Sequence, residues 1–191
     1  MTVPAADVDA LAHALAREDR APLDAALAVL GAPPPRVLWD PQPEFLPDSR
    51  LVALHAYWTA MKAGGRVPRL DDVDPIALET SVVGYVMLLE ALPEGDFRYR
   101  LYGSKIAERS GFEMTGKRTS EIRPKHPFVA LLYTTIYRAA TLRRVPVFTF
   151  NLPPPGDEVL SWSRLILPVE GKESRVDFLV GNIPGERWPI V

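Results

Sequence analysis

Cysteine is absent from the 191-residue chain. That excludes disulfides, thiolate metal sites, cysteine nucleophiles and any flavin–cysteine adduct. Histidine is scarce. His13, His55 and His126 stand far apart, and no pair has the i, i+4 spacing of a zinc-binding helix. Neither a metal nor a cofactor is expected. Charge of one sign is missing too: 22 basic against 24 acidic residues give a formal net charge of −2, without the basic excess of nucleic-acid-binding domains. No charge-free stretch approaches the ~20 residues of a membrane helix. The start, Met1 to Ala10, carries Asp7 and Asp9 and no base, unlike a presequence. These absences predict a cytoplasmic protein with neither nucleic acid nor membrane as partner. No Gly-x-Ser-x-Gly elbow occurs, so a hydrolase triad has no anchor.

Proline, by contrast, is abundant, with 20 in all. Pro33, Pro34, Pro35, Pro41, Pro43 and Pro47 crowd into residues 32–48. Proline fixes φ and removes a donor, so this segment reads as an extended connector, neither helix nor central strand. Trp39 and Phe45, interleaved with the prolines, predict that it lies against the domain. Ahead of it, Val8, Leu11, Ala12 and Leu15 form one helical stripe. Leu23, Ala26, Leu27 and Leu30 form another behind Pro22, with Gly31 as its stop. The division predicted is an N-terminal helical extension over 1–31, the connector over 32–48, and a main domain over 49–191. A stripe that size cannot fold alone, so it is expected to pack on the main domain or to pair two copies in a homodimer.

Asp48 or Ser49 can cap a helix to Ala63 whose buried face is Leu51, Leu54, Trp58 and Met61. A charged loop follows, and Asp74-Pro75 starts a short helix. Ser81–Leu89 then reads as a buried strand. Pro93-Glu94-Gly95-Asp96 is a turn, and Phe97–Tyr102 is the second strand of a hairpin. A short helix from Ser104 stops at Gly111. A long helix runs from Pro127 to about Leu142. Val145–Leu152, Glu158–Val169 and Arg175–Ile183 close the chain as three strands. This order predicts an α+β fold, a five-stranded antiparallel sheet with helices on one face.

Particular residues sharpen this into a resemblance. Tyr57-Trp58 at a helix end, Arg66 and Pro68-Arg69, Asp72 and Asp74-Pro75 come first. Tyr99-Arg100-Leu101 with Gly103-Ser104, then Gly111 and Thr115-Gly116, follow. Over about residues 50–185 the chain resembles the PAS family, in particular a bacterial subfamily of short, stand-alone PAS proteins of "PAS type 5" kind. The resemblance implies a PAS-like sheet and a non-catalytic sensory or signalling module that holds a small ligand or a protein partner.

Candidate chemistry follows from the same residues. Gly111–Lys117 has P-loop spacing, but Arg118 replaces the required Ser or Thr and a helix precedes it, so glycines of a helix stop and a turn explain it better. Asp71, Asp72 and Asp74 could serve as acid and base. With Arg66 and Arg69 beside them, a structural charge network is favoured. A small isomerase or hydrolase using Asp72, Asp74 or His126 is the enzymatic alternative, and a solid-core adaptor is the structural one. In strand 97–102 either Phe97, Tyr99 and Leu101 face inward, or Arg98, Arg100 and Tyr102 do. The latter would bury a guanidinium that requires an anion, such as a ligand carboxylate. The same question attaches to Arg164. The ligand-binding candidates are Arg100, Tyr102, Tyr85, His126 and Arg164; aromatics among bases at 98–102 are otherwise ordinary for a half-buried strand.

Overall fold

The computed structural model describes residues 7–62, 66–74, 77–78, 80–122, 127–153 and 161–185. The Asp7 carboxylate caps the first helix by accepting from the N–H groups of Asp9 and Ala10. Helix α1 (Val8–Ala16) and helix α2 (Ala21–Val29) bury Leu11, Ala12, Leu15, Leu23 and Leu27. Gly31, at φ +73°, follows α2 in the left-handed conformation expected of a stop. Both stripes join the core around helix α6 (Pro127–Arg143). Ion pairs pin the seam: Arg138 binds Asp9, and Arg143 binds Glu18 at 2.8 Å and the Ala16 carbonyl at 3.2 Å. The stripe expected to pair two copies is therefore covered within the chain.

The connector contributes strand β1 (Arg36–Trp39), framed by prolines on both sides. No proline falls inside the ladder, and the strand lies at the sheet edge, where proline neighbours are tolerated. It pairs with strand β4 (Val147–Asn151), with Leu38 opposite Phe148. The remaining strands are β2 (Val86–Ala91), β3 (Phe97–Tyr102), β5 (Ser161–Glu170) and β6 (Val176–Gly185). The order is β1-β4-β5-β6-β2-β3, antiparallel throughout. The α+β, PAS-like sheet is thus present, with six strands where five were expected, because β1 adds itself to the free edge of β4.

Helices also cover both faces, not one. Helix α3 (Ser49–Ala60), capped by Asp48, packs Leu51, Leu54 and Trp58 on the face away from α6, against Leu165, Leu167 and Leu179. Trp58 Nε1 donates to the Pro168 carbonyl at 2.7 Å. Leu165, Ile166 and Leu167 are each fully buried; such a continuous apolar run belongs to a strand covered on two sides. Where a strand from Ser81 was expected, Thr80–Val83 forms one helical turn, α4, and β2 starts only at Val86. The turn is fixed by Gly84: a Cβ on Gly103 would lie 2.4 Å from the Gly84 carbonyl oxygen, so two backbones meet there. That contact outweighs the β propensity of Val82-Val83. Helix α5 (Ser104–Ser110) has Gly103, not Ser104, at its cap position and ends at Gly111 with φ +75°.

Candidate functional site

Strand alternation turns Thr149, Arg164 and Asn182 toward α6, while Phe148, Leu165 and Ile183 face α3. The three polar residues are register partners across β4, β5 and β6. All are buried; Arg164 is 4% exposed. Arg164 Nε donates to Asn182 Oδ1 at 3.1 Å and Nη1 donates to the Tyr137 hydroxyl at 2.7 Å. Its guanidinium also lies over the ring of Tyr133, whose own hydroxyl donates to Asn151 Oδ1 at 2.7 Å. Tyr99 and Tyr102, packed edge to face, complete the aromatic wall.

Among the described residues no carboxylate pairs with Arg164. A buried charge without a counter-ion is costly, even after relaxation, by several kcal/mol. The tyrosines do not supply the missing negative charge. Burial pushes the Tyr102 hydroxyl up to about 12, and it raises Tyr99, Tyr133 and Tyr137 in the same sense. All four are neutral near pH 7. Burial opposes the Arg164 charge, but a guanidinium is so strongly basic that it stays protonated near pH 7, and the tyrosines, were they to ionise, would only raise it further. Beside it, Thr149 Oγ1 is buried with no hydrogen-bond partner among the described residues, and so is Thr135 Oγ1 on α6. Site polarity therefore exceeds what the chain itself satisfies, with a cation in excess. Such a place carries the donors, a planar fork and a hydroxyl, from which an anion accepts.

Of the residues singled out from sequence, the structure brings Tyr102 and Arg164 together. Arg100 lies elsewhere. Leu88 pairs with Leu101 and Leu89 with Tyr99, so Arg100 is the extra residue of a bulge. Neither expected face of 97–102 holds over the whole strand: Phe97, Tyr99 and Tyr102 are buried, whereas Arg100 and Leu101 are exposed. Arg100 pairs with Glu90 at 3.4 Å on the surface. Tyr85 sits on the α3 side of the sheet, its ring under the Arg50 guanidinium at 4.3 Å. His126 lies outside the described residues. Asn182, Tyr133, Tyr137, Thr149 and Asn151 were not singled out as site residues; polar side chains recurring within the otherwise apolar β4 and β6 were the available signal.

The other candidates take structural roles. Asp72 and Asp74 are exposed; Asp72 accepts from the Arg69 N–H, and the Asp74 backbone is held by the Tyr57 hydroxyl. Lys117 Nζ donates to the Glu113 carbonyl at 2.8 Å, and Gly116 and Lys117 bond through their backbones to Tyr99. The near-miss phosphate loop thus closes the open edge of β3. Among the described residues no group of acids and histidines could hold a metal, and no helix is long and apolar enough to cross a membrane.

A family model described as a PAS domain matches residues 47–183, from just before the α3 cap into β6. No curated protein and no solved structure matches the chain.

Proposed function

The chain belongs to the PAS domain family, and on that footing we propose a non-catalytic sensory module that binds a small carboxylate at Arg164. The observation that carries this reading is a buried guanidinium, 4% exposed, with no carboxylate paired to it among the described residues. A carboxylate would accept hydrogen bonds from the Arg164 fork and from the Thr149 hydroxyl, satisfying that hydroxyl and the excess charge together. Family membership supports a signalling role more than any particular ligand, because one fold hosts many functions. A cytoplasmic setting is part of the same proposal. A protein partner or a second copy would meet the module away from the stripes of α1 and α2 and from the α3 face, since both are already covered.

One observation favours a solid-core adaptor instead: Arg164 already bonds to Asn182 and Tyr137 within the chain. A thermal-shift screen of small mono- and dicarboxylates separates the two readings. A ligand at 100 times its Kd stabilises by about 2.7 kcal/mol. Each kcal/mol moves Tm by roughly 2–4 °C in a domain of this size, so a true ligand raises Tm by about 5–10 °C. An unmoved Tm across the screen leaves the adaptor.

A further inference from the structure

A second place remains, away from Arg164, where α1 meets the body of the fold. A groove of about 430 Å³ lies there. One wall is Asp9 and Ala12 of α1; the other is Arg138 and Arg144 at the end of α6; Ser174 and Arg175 close it. A smaller hollow of about 200 Å³ adjoins it, shares Arg144, Ser174 and Arg175, and adds Arg66. Four arginines therefore stand along one continuous rim, over a floor that includes Ala91, Phe97 and Val176.

The charges of that rim are only loosely compensated. Arg138 is held by Asp9, whose side chain is 73% exposed, and Arg175 meets Glu173, 80% exposed, at 3.3 Å. Exposed pairs of this kind are weak and exchangeable. Arg66 and Arg144 form no ion pair among the described residues. Of the acids nearby, Asp96 is spent on donors: it accepts from Phe97 N–H, from the Thr119 hydroxyl, and from both the N–H and the hydroxyl of Ser120. Glu170 borders only the smaller hollow. Arg144 and Ser174, on the shared wall, are non-glycine residues at φ 55° and 57°. Backbone held in that region is uncommon and concentrates at binding sites.

From this geometry we infer that the rim binds a phosphate-bearing small molecule and that binding, by taking Arg138 from Asp9, loosens α1 from the domain. A monoanion touching one exposed arginine gains little. A polyanion meeting several guanidinium forks gains from each, and arginine matches phosphate oxygens bidentately. The apolar floor leaves room for an organic body behind the phosphates. Because α1 precedes the family match at residue 47, the groove exists only where the N-terminal helices dock. Occupancy would then be reported by how firmly those helices are held.

The test is calorimetry on the whole chain with inorganic pyrophosphate at constant ionic strength, paired with amide exchange. Binding at a Kd of about 1 mM or tighter is expected, with faster exchange in residues 8–16 as Asp9 loses Arg138. The double variant Arg66→Ser/Arg144→Ser alters two exposed side chains and should fold, which circular dichroism checks; its affinity should fall at least about tenfold. Arg100→Ser, an exposed arginine elsewhere, should bind as the parent does. No heat beyond that of a sulfate control, equal binding by the double variant, or unchanged exchange in α1 would each overturn the inference. None of these outcomes bears on carboxylate binding at Arg164.

Discussion

The Arg164 Cζ lies 3.2 Å from the centre of the Tyr133 ring, so a guanidinium rests on an aromatic face inside the protein where an acid would ordinarily stand. Desolvated cation–π contacts are worth about 2 kcal/mol or more. The hydroxyl of the same tyrosine serves Asn151. Ring and hydroxyl can thus be separated by substitution. Tyr133→Phe keeps the ring and leaves the Asn151 oxygen without its donor, which costs about 1–3 kcal/mol. Tyr133→Leu also removes the ring face, and urea denaturation should show a further loss of at least about 2 kcal/mol. Equal losses in the two variants would mean that the ring does not help hold the charge.

The pairing of β3 with β2 decides which way Tyr102 points. Arg100→Ala removes only a surface pair with Glu90 and should change stability by less than about 1 kcal/mol. Deleting Arg100 removes the extra residue and leaves a regular ladder, with Tyr99 opposite Leu89, Leu101 opposite Leu88 and Tyr102 opposite Met87, so Tyr102 stays buried. The deletion should therefore be tolerated about as well as the alanine variant. A loss of roughly 3–5 kcal/mol, the cost of losing a buried aromatic, would mean that Tyr102 had turned outward and that this pairing does not fix its face.

Much of the fold was legible because periodicity reports burial. The face of Leu51, Leu54 and Trp58, the cap at Asp48, the hairpin turn at 93–96 and the long helix from Pro127 all stand as expected. Three features were not legible. The Gly84–Gly103 approach that makes a helical turn of Thr80–Val83 is a tertiary contact between distant residues. The edge pairing of β1 depends on β4, more than a hundred residues later. The bulge breaks the two-residue period that the face assignment of 97–102 assumed. In the site, Arg164 was visible as a charge in an apolar strand. Its companions Asn182 and Thr149 were not, since only strand register places them side by side.

Two carboxylates, Asp177 buried and Asp96 half-buried, should respond to pH in opposite senses. Asp177 accepts from the Ala91 N–H at 2.7 Å, yet burial raises its carboxyl above the usual range, with Glu90 adding repulsion. Its contribution is complete below the unfolded value and is lost as pH rises through the folded one. Asp177→Asn should therefore be more stable than the parent at pH 7, with the gap closing as pH falls into the carboxylate range. Burial also disfavours the Asp96 charge, but hydrogen bonds from Thr119, Ser120 and Phe97 outweigh it and hold the carboxyl low. Its contribution is present above the unfolded value and is lost as pH falls through the folded one. Asp96→Asn should be the less stable protein at pH 7, and the deficit should shrink toward pH 3. Denaturant melts of both variants across that range check the signs; parallel curves would refute them.

The most direct test removes the charge and keeps the bulk. Arg164→Met relieves an uncompensated buried cation, which tends to be neutral or stabilising by about 1–4 kcal/mol, against about 1–3 kcal/mol for leaving Asn182 and Tyr137 unsatisfied. The ligand-free variant should thus unfold within a few kcal/mol of the parent. The decisive measurement is its Tm beside that of the parent, with and without the carboxylate that shifts the parent most. A shift in the parent that vanishes in Arg164→Met is the expected result; the same shift in both proteins would contradict a carboxylate seated on Arg164.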